Sequence, residues 1–121
     1  MTRTLKVTHM GKVIYCMDFS HLKNTGEIKN IMNESAAYIR SQPPNSVLTF
    51  TDITGMHFSS EIKDLFSTFL NGNKPYVKAG AVIGLSGLQQ IVYNAVMKLT
   101  GRDIKTFTTE ISAKNWLASK D

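Results

Sequence analysis

The run from Val77 to Leu85, with Ala79-Gly-Ala-Val-Ile-Gly-Leu at its heart, constrains the fold more than any other stretch of the chain. It is apolar at odd and even positions alike, so a strand made from it has no face to offer water and needs cover on both sides. Such a strand belongs at the centre of a parallel sheet, and parallel neighbours require crossover connections, usually helices. The flanking sequence supplies them. Val47 to Asp52 reads as an earlier apolar strand, and the loop from Ile53 to Phe58 leads from it into a helix. That helix carries Ile62, Leu65, Phe66, Phe69 and Leu70 at i, i+3, i+4, i+7 and i+8 spacing, with Gly72 placed to end it in a left-handed conformation. On the other side, Ser86-Gly-Leu-Gln89 has capping-box spacing. Leu88, Ile91, Val92, Ala95, Val96 and Leu99 then line the apolar face of a further helix, which Gly101 stops.

The outer elements follow from the same periodicities. Leu5 and Val7 alternate with Lys6 and Thr8, and Val13, Tyr15, Met17 and Phe19 alternate after Gly11-Lys12, which has the form of a two-residue hairpin turn with glycine first. Asn24-Thr-Gly-Glu27 has capping-box spacing, and Ile28, Ile31, Met32, Ser35 and Ile39 fall on one helical face behind it. Pro43-Pro44 closes that helix, because proline lacks an N–H and drives its predecessor out of the helical region. A short strand from Ile104 to Phe107 and a last helix from about Thr109 through Trp116-Leu117 complete the order β-β-α-β-α-β-α-β-α. The expected protein is one α/β domain over residues 1–121. Its N-terminal antiparallel hairpin joins a mainly parallel five-stranded sheet with four helices.

At 121 residues the chain is long enough to fold without covalent staples. Its one cysteine, Cys16, has no internal partner, and its apolar strand neighbours suit a reducing compartment. The opening Met-Thr-Arg-Thr-Leu-Lys lacks the apolar run of a secretory signal, and no segment reaches the roughly twenty apolar residues of a membrane span. A cytoplasmic address is expected. The net charge of +5 does not imply a nucleic-acid partner, because the fourteen Lys and Arg are scattered and never interleave with aromatics. Lys98, Arg102 and Lys105 cluster only around a helix C-terminus, where cations complement the macrodipole.

Chemistry is focused at the junction Val47-Leu-Thr-Phe-Thr-Asp-Ile-Thr-Gly-Met-His-Phe-Ser-Ser-Glu61. A helix starting just past a strand end gathers unpaired backbone N–H groups, a positive dipole end and the hydroxyls of Ser59 and Ser60 at one spot. Ser86 and Gly87, at the next helix start, belong on the same edge of the sheet, beyond the carboxyl ends of the strands, so two helix N-termini point toward one rim. Asp52, Gly55, Met56, His57, Phe58, Ser59, Ser60, Ser86 and Gly87 are the candidate ligand- or partner-binding residues. Met56 and Phe58 either present apolar contact area in that loop or plug the sheet edge, with Phe58 stapling the helix entry. Asp52 has no assignable nucleophile or base as a partner, and His9, His21 and His57 have no metal-ligand spacing. Gly84-Leu-Ser-Gly87 is too short for a phosphate-cradling Walker loop and lacks a dinucleotide fingerprint. No enzyme, metal site or cofactor is expected.

The element order resembles the SpoIIAA-like branch of the STAS superfamily, whose members include anti-anti-sigma factors. The resemblance is carried by Leu48-Thr-Phe-Thr-Asp-Ile-Thr-Gly-Met-His-Phe-Ser-Ser, by Lys78-Ala-Gly-Ala-Val-Ile-Gly-Leu, and by the closing Ile104-Lys-Thr-Phe and Ala113-Lys-Asn-Trp-Leu. Phosphorylatable members read Asp-Ser-Ser-Gly after this strand and accept a phosphate on a serine at the helix start. The resemblance therefore implies phosphorylation on Ser59 or Ser60, although Phe58 replaces the acid and Glu61 the glycine, which sets a like charge beside the phosphate. It implies a non-enzymatic binding or regulatory domain that contacts a partner protein or a small anionic or apolar ligand at the strand-end loops. The related fold of CRAL-TRIO domains implies the alternative, a carrier of a lipid or other apolar small molecule. An exposed first strand would also be free to pair across a homodimer.

Overall fold

The computed structural model describes residues 3–102 and 104–120. One sheet runs in the order β1 (Thr4–His9), β2 (Lys12–Asp18), β3 (Val47–Asp52), β4 (Val77–Ile83) and β5 (Lys105–Phe107). β1 pairs antiparallel with β2, and every later pairing is parallel. Helices α1 (Thr25–Ile39), α2 (Ser60–Asn73), α3 (Leu88–Thr100) and α4 (Glu110–Ala118) complete the α/β order that the sequence predicts. Strands are added in one direction only from β2 onward, so right-handed crossovers set α1, α2 and α3 on the same face of the sheet. The order never reverses, so the sheet lacks the switch point at which α/β sheets usually split open to receive a ligand.

Two clusters divide the core by face. Tyr15, Met17 and Val82 pack with Ile28 and Ile31 of α1 and with Ile62, Phe66 and Phe69 of α2. On the far face Ile14, Leu48, Phe50 and Ala81 pack against Ala113 and Leu117 of α4. Alternate residues of β3 and β4 thus feed both clusters, which is why these strands read as continuous apolar runs.

Helix α1 starts as its sequence dictates, with Asn24 Oδ1 accepting the Glu27 N–H at 3.1 Å. The residues it buries are Ile28, Ile31, Met32, Ser35 and Ile39. Ser35 is tolerated inside because its hydroxyl accepts a hydrogen bond from Tyr15 at 3.2 Å. The helix stops with Arg40 as its C-cap, ahead of Pro43.

Three local expectations need correction. The hairpin turns at Met10-Gly11, one residue earlier than Gly11-Lys12, since His9 pairs with Lys12. Both turn residues have positive φ, 52° and 80°, the requirement of a type I′ turn whose twist matches the strands. Gly72 does not end α2 in a left-handed conformation; it lies inside the helix, and Lys74 is the right-handed C-cap. Its missing side chain makes room for Arg40, whose Nη2 would stand 2.3 Å from a β-carbon there. The apolar face read for α3 is only partly buried. Val96 is in the core, whereas Ile91 and Leu99 are 66% and 68% exposed. Periodicity finds the stripe, but among the described residues nothing buries that part of it. The side chain of Leu88 lies outside what is described.

Candidate functional site

The chain leaves β3 at Asp52, whose Oδ1 accepts the Thr54 N–H at 2.9 Å and the Thr54 hydroxyl at 2.7 Å, a tight Asx turn. Asp18, its register partner at the end of β2, does the same for Ser20. These neighbouring turns are tied together, since Phe19 N donates to Asp52 O at 2.8 Å and His21 N to Thr54 O at 2.7 Å. Both Asp52 and Asp18 line a cleft of about 230 Å³ on the α4 side, with Cys16, Glu110 and Lys114. Burial pushes the Cys16 thiol up, against a smaller opposing pull from Lys114, so at neutral pH it is a protonated apolar group and not a nucleophile. His57 is not among the residues lining this cleft.

Beyond Thr54, Gly55 takes φ 66°, and a β-carbon there would lie 2.5 Å from His21 Nδ1. Met56 then turns inward. At 3% exposure it belongs to the core, so it offers no contact area at the surface. The apolar side chain wins the interior because Met56 N donates to Ile53 O at 3.1 Å and His57 N to Leu22 O at 2.9 Å, which seats the loop on the preceding turn. Phe58 is half-buried and stacks on Phe66 at 6.3 Å between ring centroids. It staples the entry of α2, though onto the helix's second turn and not its first. Of the Met-His-Phe segment, His57 alone is exposed.

Ser59 caps α2, its hydroxyl accepting the Ile62 N–H at 3.2 Å. Ser60 is the first helical residue and is exposed. Across the rim, Ser86 and Gly87 are also exposed, and Gly87 is the N-cap of α3 at φ 54° with no side-chain cap. The capping box read at Ser86 to Gln89 forms only its return arm: Ser86 N donates to Gln89 Oε1 at 3.3 Å.

The residue missed by sequence reasoning is Gln89 in its second role. Its Nε2 donates to Met56 O at 2.9 Å and to Ile53 O at 3.4 Å, bridging the loop after β4 to the loop after β3. Gly84 completes the junction. It takes φ 91°, and its bare α-carbon sits where a β-carbon would meet Thr54 N at 2.4 Å. A glutamine at a helix start signals a cap in sequence, and nothing in its spacing announces a partner on another strand's loop. Asp52, Gly55, His57, Ser59, Ser60, Ser86 and Gly87 thus lie in the loops and helix starts that follow β3 and β4, and Met56 is removed into the core. A shallower cleft of about 390 Å³, lined by Leu85, Gln90, Phe107 and Ser112 among others, adjoins the Ser86 side.

Among the described residues no group of three His, Cys, Asp or Glu side chains could hold a metal ion. No described helix is long and apolar enough to cross a membrane. No family model and no curated protein sequence matches the chain. Its fold is similar to the solved structure of an anti-sigma-factor antagonist (STAS) domain protein from Planctomyces limnophilus. The TM-score is 0.64 over 96% of this chain and 98% of that chain, at 16% sequence identity. The architecture is therefore that of a STAS domain, as the strand-loop-helix residues implied.

Proposed function

We propose that this domain is a non-enzymatic regulatory module that captures a partner protein on the rim formed by the loops after β3 and β4. The observation behind this reading is the Gln89 amide bridging to Met56 O, with Gly84 pressed on Thr54. Pinned loops lose little conformational entropy on binding, so their exposed groups, His57, Ser60, Ser86 and Gly87, form a preorganised contact. The STAS fold, shared with a protein named for antagonising another protein, agrees with a protein partner. Of the two candidate phosphate acceptors Ser60 is the more exposed, while Ser59 is the half-buried cap of α2.

The test is capture from the native cell by tagged protein, compared with a Ser60→Arg/Ser86→Arg double variant. Both positions are exposed, so the variant keeps its circular dichroism and melting temperature while losing the captured protein. An unchanged captured set from a folded double variant rejects the rim as the contact.

A further inference from the structure

Between the sheet and the α2/α3 pair lies an apolar cavity of about 60 Å³. Thr51 and Val82 form its floor, Phe66 and Val96 its walls, and Arg102, just past α3, stands on its border. The void has a visible cause. Val96 and Thr100 are the only α3 side chains buried among the described residues, while Ile91 and Leu99 face solvent, so the helix roofs the core without filling it.

We propose that this cavity binds a small carboxylic acid, its short alkyl tail entering between Phe66 and Val96 and its carboxylate pairing with the Arg102 guanidinium. Atoms lining a void forfeit dispersion contacts that an alkyl group restores. Size sets the class of tail: an apolar cavity of about 150 Å³ accepts a benzene ring, so one of about 60 Å³ suits a short aliphatic chain and not a lipid acyl group. Charge sets the head. A guanidinium beside an apolar chamber is costly to desolvate unless an anion meets it, and its planar fork matches a carboxylate bidentately. Arg102 is oriented for this, because Nη1 donates to Leu70 O at 2.8 Å and its backbone N–H donates to Thr100 Oγ1 at 3.3 Å. Burial lowers the guanidinium's own pKa, against a smaller opposing pull from Tyr93, which also lines the cavity, and a bound anion would offset the same burial. Ile53 and Phe58 of the loop after β3 also line the cavity, so it adjoins the rim, but its occupant is a small acid read by its own titration and not by protein capture.

The experiment titrates the protein with the straight-chain acids from acetate to octanoate and with the matching primary alcohols, by calorimetry and by amide chemical shifts. Saturable one-to-one binding of the acids is expected, tightening about fourfold per added methylene until the chamber is full. Arg102→Gln should weaken the best acid about tenfold and the matching alcohol less than twofold. Val96→Phe fills the chamber and should abolish binding. Val77→Phe, from the partly exposed start of β4, does the same if the first variant misfolds. The proposal is overturned by no saturable binding of any acid, by binding unaffected in the folded filled variant, or by equal losses of acid and alcohol in Arg102→Gln.

Discussion

Arg40 Nε donates to the side-chain Oδ1 of Asn73 at 3.0 Å, joining the C-cap of α1 to the last turn of α2. Asn73 is 2% exposed, so this bond satisfies an amide that water cannot reach. The guanidinium also donates to Phe69 O at 3.3 Å, and both contacts require it to lie over the bare α-carbon of Gly72.

Gly72→Ala should therefore destabilise the protein by about 1 kcal/mol. Alanine gains roughly 1 kcal/mol of helix propensity, but it evicts Arg40 and strands the buried Asn73 amide at a cost of about 1–3 kcal/mol. In an Arg40→Ala background the eviction costs nothing further, and the same substitution should become stabilising by about 1 kcal/mol. Urea unfolding of the four variants reads the cycle, and the change of sign is the diagnostic outcome.

Met10 should be replaceable with profit. It is 74% exposed at φ 52°, a left-handed conformation that an L-residue with an unbranched side chain adopts at a cost of about 1 kcal/mol. Met10→Asn keeps the type I′ turn, and asparagine is favoured there. An increase in stability of about 0.5–1 kcal/mol by chemical denaturation is expected.

Gly84→Ala attacks the junction of the two loops. The new β-carbon would collide with the backbone nitrogen of Thr54, which has no flexible end to move, in a conformation already at φ 91°. A loss of about 2–4 kcal/mol is expected, with faster amide exchange at His57 as the local sign that the rim has parted.

The thiol of Cys16 makes stability pH-dependent on the alkaline side. Its folded pKa is raised above the ordinary 9.0, mainly by burial, so the unfolded chain loses this proton first as pH rises. The contribution is fully present below about pH 9 and is lost through the folded pKa. The stability difference between the wild type and Cys16→Ala should hold constant to that pH and then shift against the wild type. A thiol-reactive chromogenic disulfide at pH 8 should label the native protein far more slowly than the unfolded one.

How much of this was legible in the residues differs by element. The side chains buried by α1 are the five its periodicity names, because Asn24 sets the register and a helix with one apolar stripe has one face to bury. The double-sided run of β4 fixed the parallel centre of the sheet for a similar reason. Met56 was undecidable from sequence, since a loop has no period to tell inward from outward. Ile91 and Leu99 mark the opposite limit, where a clear apolar stripe exists without a neighbour to cover all of it. The Gln89 bridge and the chamber beside Arg102 depend on how separate elements meet, which local spacing does not encode.

Among the described residues α4 is the one helix on the far face of the sheet, with Ala113 and Leu117 closed over Ile14, Leu48, Phe50 and Ala81. On the ribosome, that face waits bare until residues 110–118 have emerged, whereas the opposite layer is already complete. Closure of the second half of the core therefore waits on the last helix in the chain, and until α4 docks the far face of the sheet is uncovered apolar surface.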